Sequence, residues 1–186
     1  MTTPSGQEPV AAAEAQEPPR YRVVFVCTGN TCRSPIAEVV LRRALEREDL
    51  GGVVSVASAG TDGWQTGSAA DERAVAVLAA HGYDACSHRA RSLDRSSIRR
   101  TDLVVALDSG HQEVLRRWAG DDDQPERIRL LRSFDPAAVA KGKLDVKDPY
   151  YGGRKKFEKV LAQTERAMPG IVEHIRTGLA SRSEPA

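Results

Sequence analysis

Cysteine is scarce in this chain: its 186 residues hold three, Cys27, Cys32 and Cys86. So few cannot frame a disulfide scaffold, and an odd number fits a reducing cytosol better than an extracellular setting. Charge of one sign is not in excess either, with 27 Lys plus Arg against 26 Asp plus Glu. No global field therefore favours nucleic acid or an anionic membrane, and any anion binding must be local. No stretch approaches the roughly 20 apolar residues of a membrane span. The N-terminus has neither a basic start nor an apolar run of signal-peptide length. A cytoplasmic protein is expected, although export without a signal leaves no mark in sequence. There is no internal repeat. No His/Cys/Asp cluster has metal-ligand spacing, so neither a metal nor another cofactor is expected.

What is present suits one compact domain with a real core: 40% of residues are hydrophobic and 28% charged. Residues 1–20, rich in Pro, Ala, Glu and Gln and closing near Pro18-Pro19, read as a disordered leader. The domain spans 21–180, and 181–186 read as a flexible tail. Tyr21 to Val26 is β-branched and mostly apolar, as in a strand buried on both faces. After a break at 27–33, Ser34 as N-cap and Pro35 in the first turn open a helix. Its stripe is Ile36, Val40, Ala44 with Ala37, Leu41, Leu45, and Glu38 sits near its positive end. Strands at 53–57, 102–107 and 127–131 alternate with helices at 71–80 and 111–118, the first stopped by Gly82. Asp121-Asp122-Asp123 marks a solvated loop. A last helix, 157–179, should be kinked or split by Pro169. Such alternation argues a parallel sheet with helices on both faces and a ligand site outside the carboxyl ends of strands, where 27–33 lies.

That loop reads Cys27-Thr28-Gly29-Asn30-Thr31-Cys32-Arg33, followed by Ser34-Pro35. Between a buried strand and a helix start, successive N–H groups can curl into a nest for an oxyanion, aided by the helix dipole. Gly29 and Asn30 best tolerate the left-handed backbone such a curl needs. Arg33 offers a planar fork to two phosphate oxygens. The thiolate, not the thiol, is the nucleophile, and positive neighbours and helix N-termini favour it. A Ser34 hydrogen bond to the sulfur favours it further. A lone cysteine near a helix start is usually packing. Cys and Arg at C-x5-R spacing in a strand–loop–helix setting make Cys27 a nucleophile.

On these residues the chain resembles the low-molecular-weight protein tyrosine phosphatases. The likeness rests on 26–38 near the start and on Asp148-Pro149-Tyr150-Tyr151-Gly152-Gly153 near the end, with further similarity at 58–61, 88–91 and 106–108. The resemblance implies a flavodoxin-like three-layer α/β sandwich with a four-stranded parallel sheet and helices on both faces. It implies a two-step reaction on protein phosphotyrosine without metal, through a cysteinyl-phosphate on Cys27. Arg33 and the amides of Thr28, Gly29, Asn30, Thr31, Cys32 and Ser34 would bind the phosphate, and Asp148 would act as general acid and then base. Trp64 and Tyr150, with Tyr151 beside them, would wall a deep cleft for a flat ring. Asn30 would brace the loop and His88 would hydrogen-bond to it. Cys32 would form a reversible disulfide with Cys27, while Cys86 is bland packing. Implied partners are phosphotyrosine-containing proteins and a partner tyrosine kinase, with no nucleic acid.

Thr31 keeps an alternative open. Related protein-arginine phosphatases carry Thr there, but generally lack the double tyrosine after Asp-Pro, so phosphotyrosine is favoured. Arsenate reductases share the loop but need two further cysteines, and this chain has only Cys86 outside it. A phosphate-binding module without turnover should have lost Cys27 or Asp148.

Overall fold

The computed structural model describes residues 19–120 and 126–182. The readings at 1–18, at Asp121-Asp122-Asp123 and at 183–186 fall outside the described residues. Strand β1 (Tyr21–Cys27) is buried throughout except at Arg22. Strands β2 (Val54–Gly60), β3 (Leu103–Ala106) and β4 (Ile128–Leu130) complete a four-stranded sheet of order β2-β1-β3-β4. All pairs are parallel, with Val23 opposite both Val56 and Leu103, and Val104 opposite Ile128. This is the expected flavodoxin-like sandwich.

Alternation along β1 sorts the core into two layers, because successive strand side chains point to opposite faces. Val23, Phe25 and Cys27 pack with α1 (Arg33–Arg47), α2 (Glu72–Ala80) and α5 (Arg154–Ala180), through residues such as Ile36, Leu41, Leu78, Phe157 and Ile171. Val24 and Val26 pack against Leu115 of α3 (Ser109–Ala119) and Ile98 of a 3-10 turn at 95–100. A second 3-10 turn, Leu131–Phe134, and the short α4 (Pro136–Ala140) follow β4. None of these short elements carries a period that sequence reading could detect, though Asp135 caps α4 through the amides of Ala137 and Ala138.

Three local expectations are corrected. Helix α1 starts at Arg33, two residues earlier than a Ser34 cap would place it, and its N-cap position, Cys32, offers no side-chain bond. Ser34 is therefore not the cap; its hydroxyl is used inside the loop. Glu38 lies in the second turn, beyond the reach of the helix start, and accepts hydrogen bonds from Ser58 and Arg42 instead. Helix α5 runs unbroken over 27 residues with Pro169 inside it. A proline removes one intrahelical N–H donor. The burial of Met168, Ile171 and Val172 on either side holds the helix together.

Candidate active site

The loop 27–33 leaves the sheet where β1 has β2 on one side and β3 on the other, the switch point of such folds. Gly60 ends β2 beside it. A Cβ there would stand 2.5 Å from the Thr28 carbonyl oxygen and 3.3 Å from the Asn30 nitrogen, so only glycine permits the approach. The carbonyls of Cys27, Thr28 and Thr31 are tied outward, accepting from the amides of Thr61 (2.9 Å), Asp62 (3.0 Å) and Asp71 (2.8 Å). In a trans peptide the N–H points opposite to the C=O, so these ties turn loop amides inward.

Asn30 sets the curl. It is left-handed, with φ of 55°, whereas Gly29 is not; Gly29 instead leaves room for Gln65, whose Cγ a Cβ would meet at 3.3 Å. Fully buried, Asn30 donates through Nδ2 to Ser34 Oγ (2.9 Å) and Ser58 Oγ (2.8 Å). Its Oδ1 accepts from the Arg91 amide (2.9 Å), and its backbone carbonyl lies 2.8 Å from His88 Nε2. The Ser34 hydroxyl lies 3.0 Å from Cys27 Sγ. Sulfur, serine, asparagine and histidine thus form one connected chain of contacts.

Arg33 is buried at 3% exposure and faces two carboxylates. Nη1 donates to Asp108 Oδ2 (2.7 Å) and to the Val146 carbonyl (3.0 Å), while Nη2 donates to Asp148 Oδ2 (3.0 Å). A guanidinium has five N–H groups. The Nε–H, on the side-on edge of the fork, and one of the two Nη2–H groups have no partner among the described residues. Burial works to raise the Asp108 pKa, but the nearby His111 ring, the hydrogen bond from the His111 amide and the charge of Arg33 outweigh it, holding the carboxyl well below its usual range. The His111 amide donates to Asp108 Oδ1 at 2.9 Å. Its ring Nδ1 is 2.8 Å from the same oxygen yet misaligned for a hydrogen bond, and Nε2 lies 2.9 Å from Thr28 Oγ1.

Cys27, Thr28, Gly29, Thr31, Cys32 and Arg33 form the base of a cleft of about 280 Å³. Trp64, Gln65, Asp148, Tyr150 and Tyr151 line its sides. Trp64 and Tyr151 stand mostly in solvent, at 74% and 95% exposure, so they rim the mouth more than they wall a deep slot. Asn30, Ser34 and His88 do not line the cleft; they brace it from behind. Burial pushes the Cys32 thiol up to about 12. Cys86 is exposed, so packing does not explain it.

Sequence reading missed Asp108, His111, Asp71, Arg73 and Ser58. Arg73 pairs with Asp71 (2.7 Å) and donates from Nη1 to the carbonyls of Tyr150 (2.9 Å) and Gly152 (2.8 Å). Asp71 in turn holds the Thr31 carbonyl, so this pair links the loop to the segment bearing Asp148. The one available signal for Asp108 was its place in the 106–108 similarity. Among the described residues no group of three or more His, Cys, Asp or Glu side chains could hold a metal ion.

A model of the low molecular weight phosphotyrosine protein phosphatases matches residues 22–181. The chain belongs to that family. It is 52% identical over 163 residues to a low molecular weight protein-tyrosine-phosphatase of Streptomyces coelicolor, covering 88% of this chain and 98% of the relative. It is 47% identical over 158 residues to low molecular weight protein-tyrosine phosphatase A of Mycobacterium tuberculosis, covering 85% and 93%. The crystal structure of a protein tyrosine phosphatase from Entamoeba histolytica, with Hepes in its active site, superposes with a TM-score of 0.78 at 29% identity, covering 85% and 98%. No helix among the described residues is long and apolar enough to cross a membrane.

Proposed function

We propose that this protein, through its unit at 21–180, hydrolyses phosphotyrosine in protein substrates, with Cys27 as nucleophile, Arg33 as phosphate clamp and Asp148 as general acid and base. The observation that carries the reading is convergence: the thiol, the uncapped start of α1, the side-on fork of Arg33 and the Asp148 carboxyl meet at one cleft. Phosphate oxygens enter among the loop amides and the fork. Cys27 sulfur attacks phosphorus in line, forming an S–P bond as the P–O bond to the tyrosine breaks, and Asp148 gives its proton to the leaving oxygen. Water then attacks phosphorus, Asp148 takes back a proton, and the S–P bond breaks to release inorganic phosphate and thiolate. A phosphate dianion competes with Asp148 for the Arg33 guanidinium, which favours the protonated acid at the first step. Trp64, Tyr150 and Tyr151 offer faces to the aromatic ring.

The named relatives and the double tyrosine at 150–151 support phosphotyrosine; the phosphoarginine and arsenate readings are not favoured. A nucleophile that must stay reduced supports a cytoplasmic site of action beside a tyrosine kinase that supplies the substrate. Cys27→Ser should leave below about 1% of turnover on a phosphotyrosine peptide while retaining phosphate binding, in line with the ~10²–10⁴-fold worth of even one acid–base group. Asp148→Ala should slow phenyl phosphate far more than an activated aryl phosphate. Equal losses across a leaving-group series would remove Asp148 from the acid role.

A further inference from the structure

The net charge is +1, yet the cations are not evenly spread. A cleft of about 760 Å³ opens between the segment after α4 and the first half of α5, lined by Arg132, Lys141, Lys143, Lys147, Lys159 and Arg166. One carboxylate shares the lining, Asp145, and it is already engaged by the Ser109 amide (2.8 Å) and hydroxyl (3.1 Å). Arg166 is paired with Asp135 at 3.4 Å, and Arg132 donates to the Asp145 carbonyl at 3.2 Å. Lys141, Lys143, Lys147 and Lys159 are exposed and form no ion pair with any described residue. A concavity lined by one sign of charge focuses the field and draws in the opposite sign.

Position decides what that anion is. Residues 145–148 form a partition. On one side the Val146 carbonyl and Asp148 hold Arg33 at the phosphate site; on the other, Asp145 and Lys147 line the cationic cleft. Lys159, Gln163 and Arg166 continue the lining along α5, a run of roughly 10 Å at 1.5 Å per residue. That is the span of about three residues of extended peptide. The lining holds no aromatic side chain on which a nucleic-acid base could stack. A concave site beside the phosphate cleft also suits a threaded peptide better than a membrane surface.

We infer that this cleft docks a run of three or four Asp or Glu residues flanking the phosphotyrosine of the protein substrate. The inference rests on the phosphotyrosine reading above and names the substrates that site prefers. The test compares four substrates at low and high salt: p-nitrophenyl phosphate, a phosphotyrosine peptide with neutral flanks, and the same peptide with four glutamates on its N-terminal or on its C-terminal flank. Wild type should show roughly tenfold higher kcat/KM for one acidic-flank peptide, carried by KM, from three or four contacts each worth about a factor of two. The gain should vanish at high salt. It should also vanish in a Lys141→Glu, Lys143→Glu, Lys159→Glu triple variant whose turnover of p-nitrophenyl phosphate and of the neutral-flank peptide is unchanged. No gain from either flank in wild type, or a gain that survives in the triple variant, overturns the proposal. So does a triple variant that differs from wild type only in binding phosphatidylserine vesicles, which would assign the cleft to a lipid surface. Turnover of p-nitrophenyl phosphate with none of the peptides overturns the phosphotyrosine reading itself, and the docking inference with it.

Discussion

Arg33 is the residue at which the most depends on partners far away in sequence. Its guanidinium is held in place by Asp108 at 2.7 Å and by the Val146 carbonyl at 3.0 Å. Both bonds fall on Nη1, and this aims the opposite edge of the fork at the cleft. Asp108→Asn keeps the shape but removes the charge. We expect it to lower stability at pH 7 by about 1–3 kcal/mol, the range for a lost charge-assisted bond to a buried cation. The sign with pH follows from the depressed carboxyl of the folded state. Its contribution is complete above the unfolded value near 4 and is lost as pH falls below that toward the folded one. Urea unfolding at pH 7 and at pH 3 should therefore show the gap between wild type and Asp108→Asn narrowing in acid. A constant gap would mean that the charge of Asp108 does not stabilise the fold through His111 and Arg33.

At the scale of elements, Arg73 ties the stretch just after Asp148 to the body, beside the bond from Arg33 to Asp148 itself. Arg73, in the first turn of α2, donates to the carbonyls of Tyr150 and Gly152 while its ring neighbour is Phe157, 4.7 Å from the guanidinium carbon to the ring centroid. Arg73→Ala should leave the loop 27–33 intact but loosen Asp148 and Tyr150. The expected result is a loss of about 10-fold or more in kcat on substrates that need the acid, since small misplacements of a catalytic group are costly. An activated aryl phosphate should be nearly unaffected. Arg73→Lys should rescue little, because one ammonium cannot reach both carbonyls and the Asp71 carboxylate in the same plane. Loss of equal size on both substrates would place the defect in the loop instead.

The same scale explains what could be read from residues alone. Strand β1 and the loop after it were legible because their signals are local: a continuous buried run, then Gly and Asn, then a helix stripe. Helix α2 was legible over 71–80 with Gly82 as its stop, left-handed at φ of 79°, while Asp71 proves to be its cap rather than its first residue. By contrast Asp108, Asp71, Arg73 and Ser58 act through contacts with residues 28 to 79 positions away, which no local pattern encodes. Ser34 misled for the opposite reason. Its local signal was that of a cap, and a tertiary demand, the bond to Cys27 and Asn30, took its hydroxyl instead. Pro169 does not split α5, since packing on both sides outweighs the one missing donor.

For the molecule as a whole, the site is a property of the folded sheet, so an anion that fills it should stabilise everything. A ligand present at 100 times its dissociation constant adds about 2.7 kcal/mol to the stability of the state that binds it. Inorganic phosphate should thus raise the melting temperature of Cys27→Ser by several degrees, the usual worth of that energy in a domain of this size. The same titration on an Arg33→Ala variant should give little or no shift. A similar rise in both would indicate general salting rather than occupation of the cup.

Asn30 carries one last consequence. Its four contacts come from Ser34, from Ser58 on β2 and from the segment holding His88 and Arg91. During synthesis the cysteine emerges early, but the left-handed bend behind it has no support until roughly the first half of the chain is made and docked. Until then the loop that presents Cys27 is unformed. The cup at the start of α1 therefore arrives late, by assembly, and a half-made chain holds the sulfur without its surroundings.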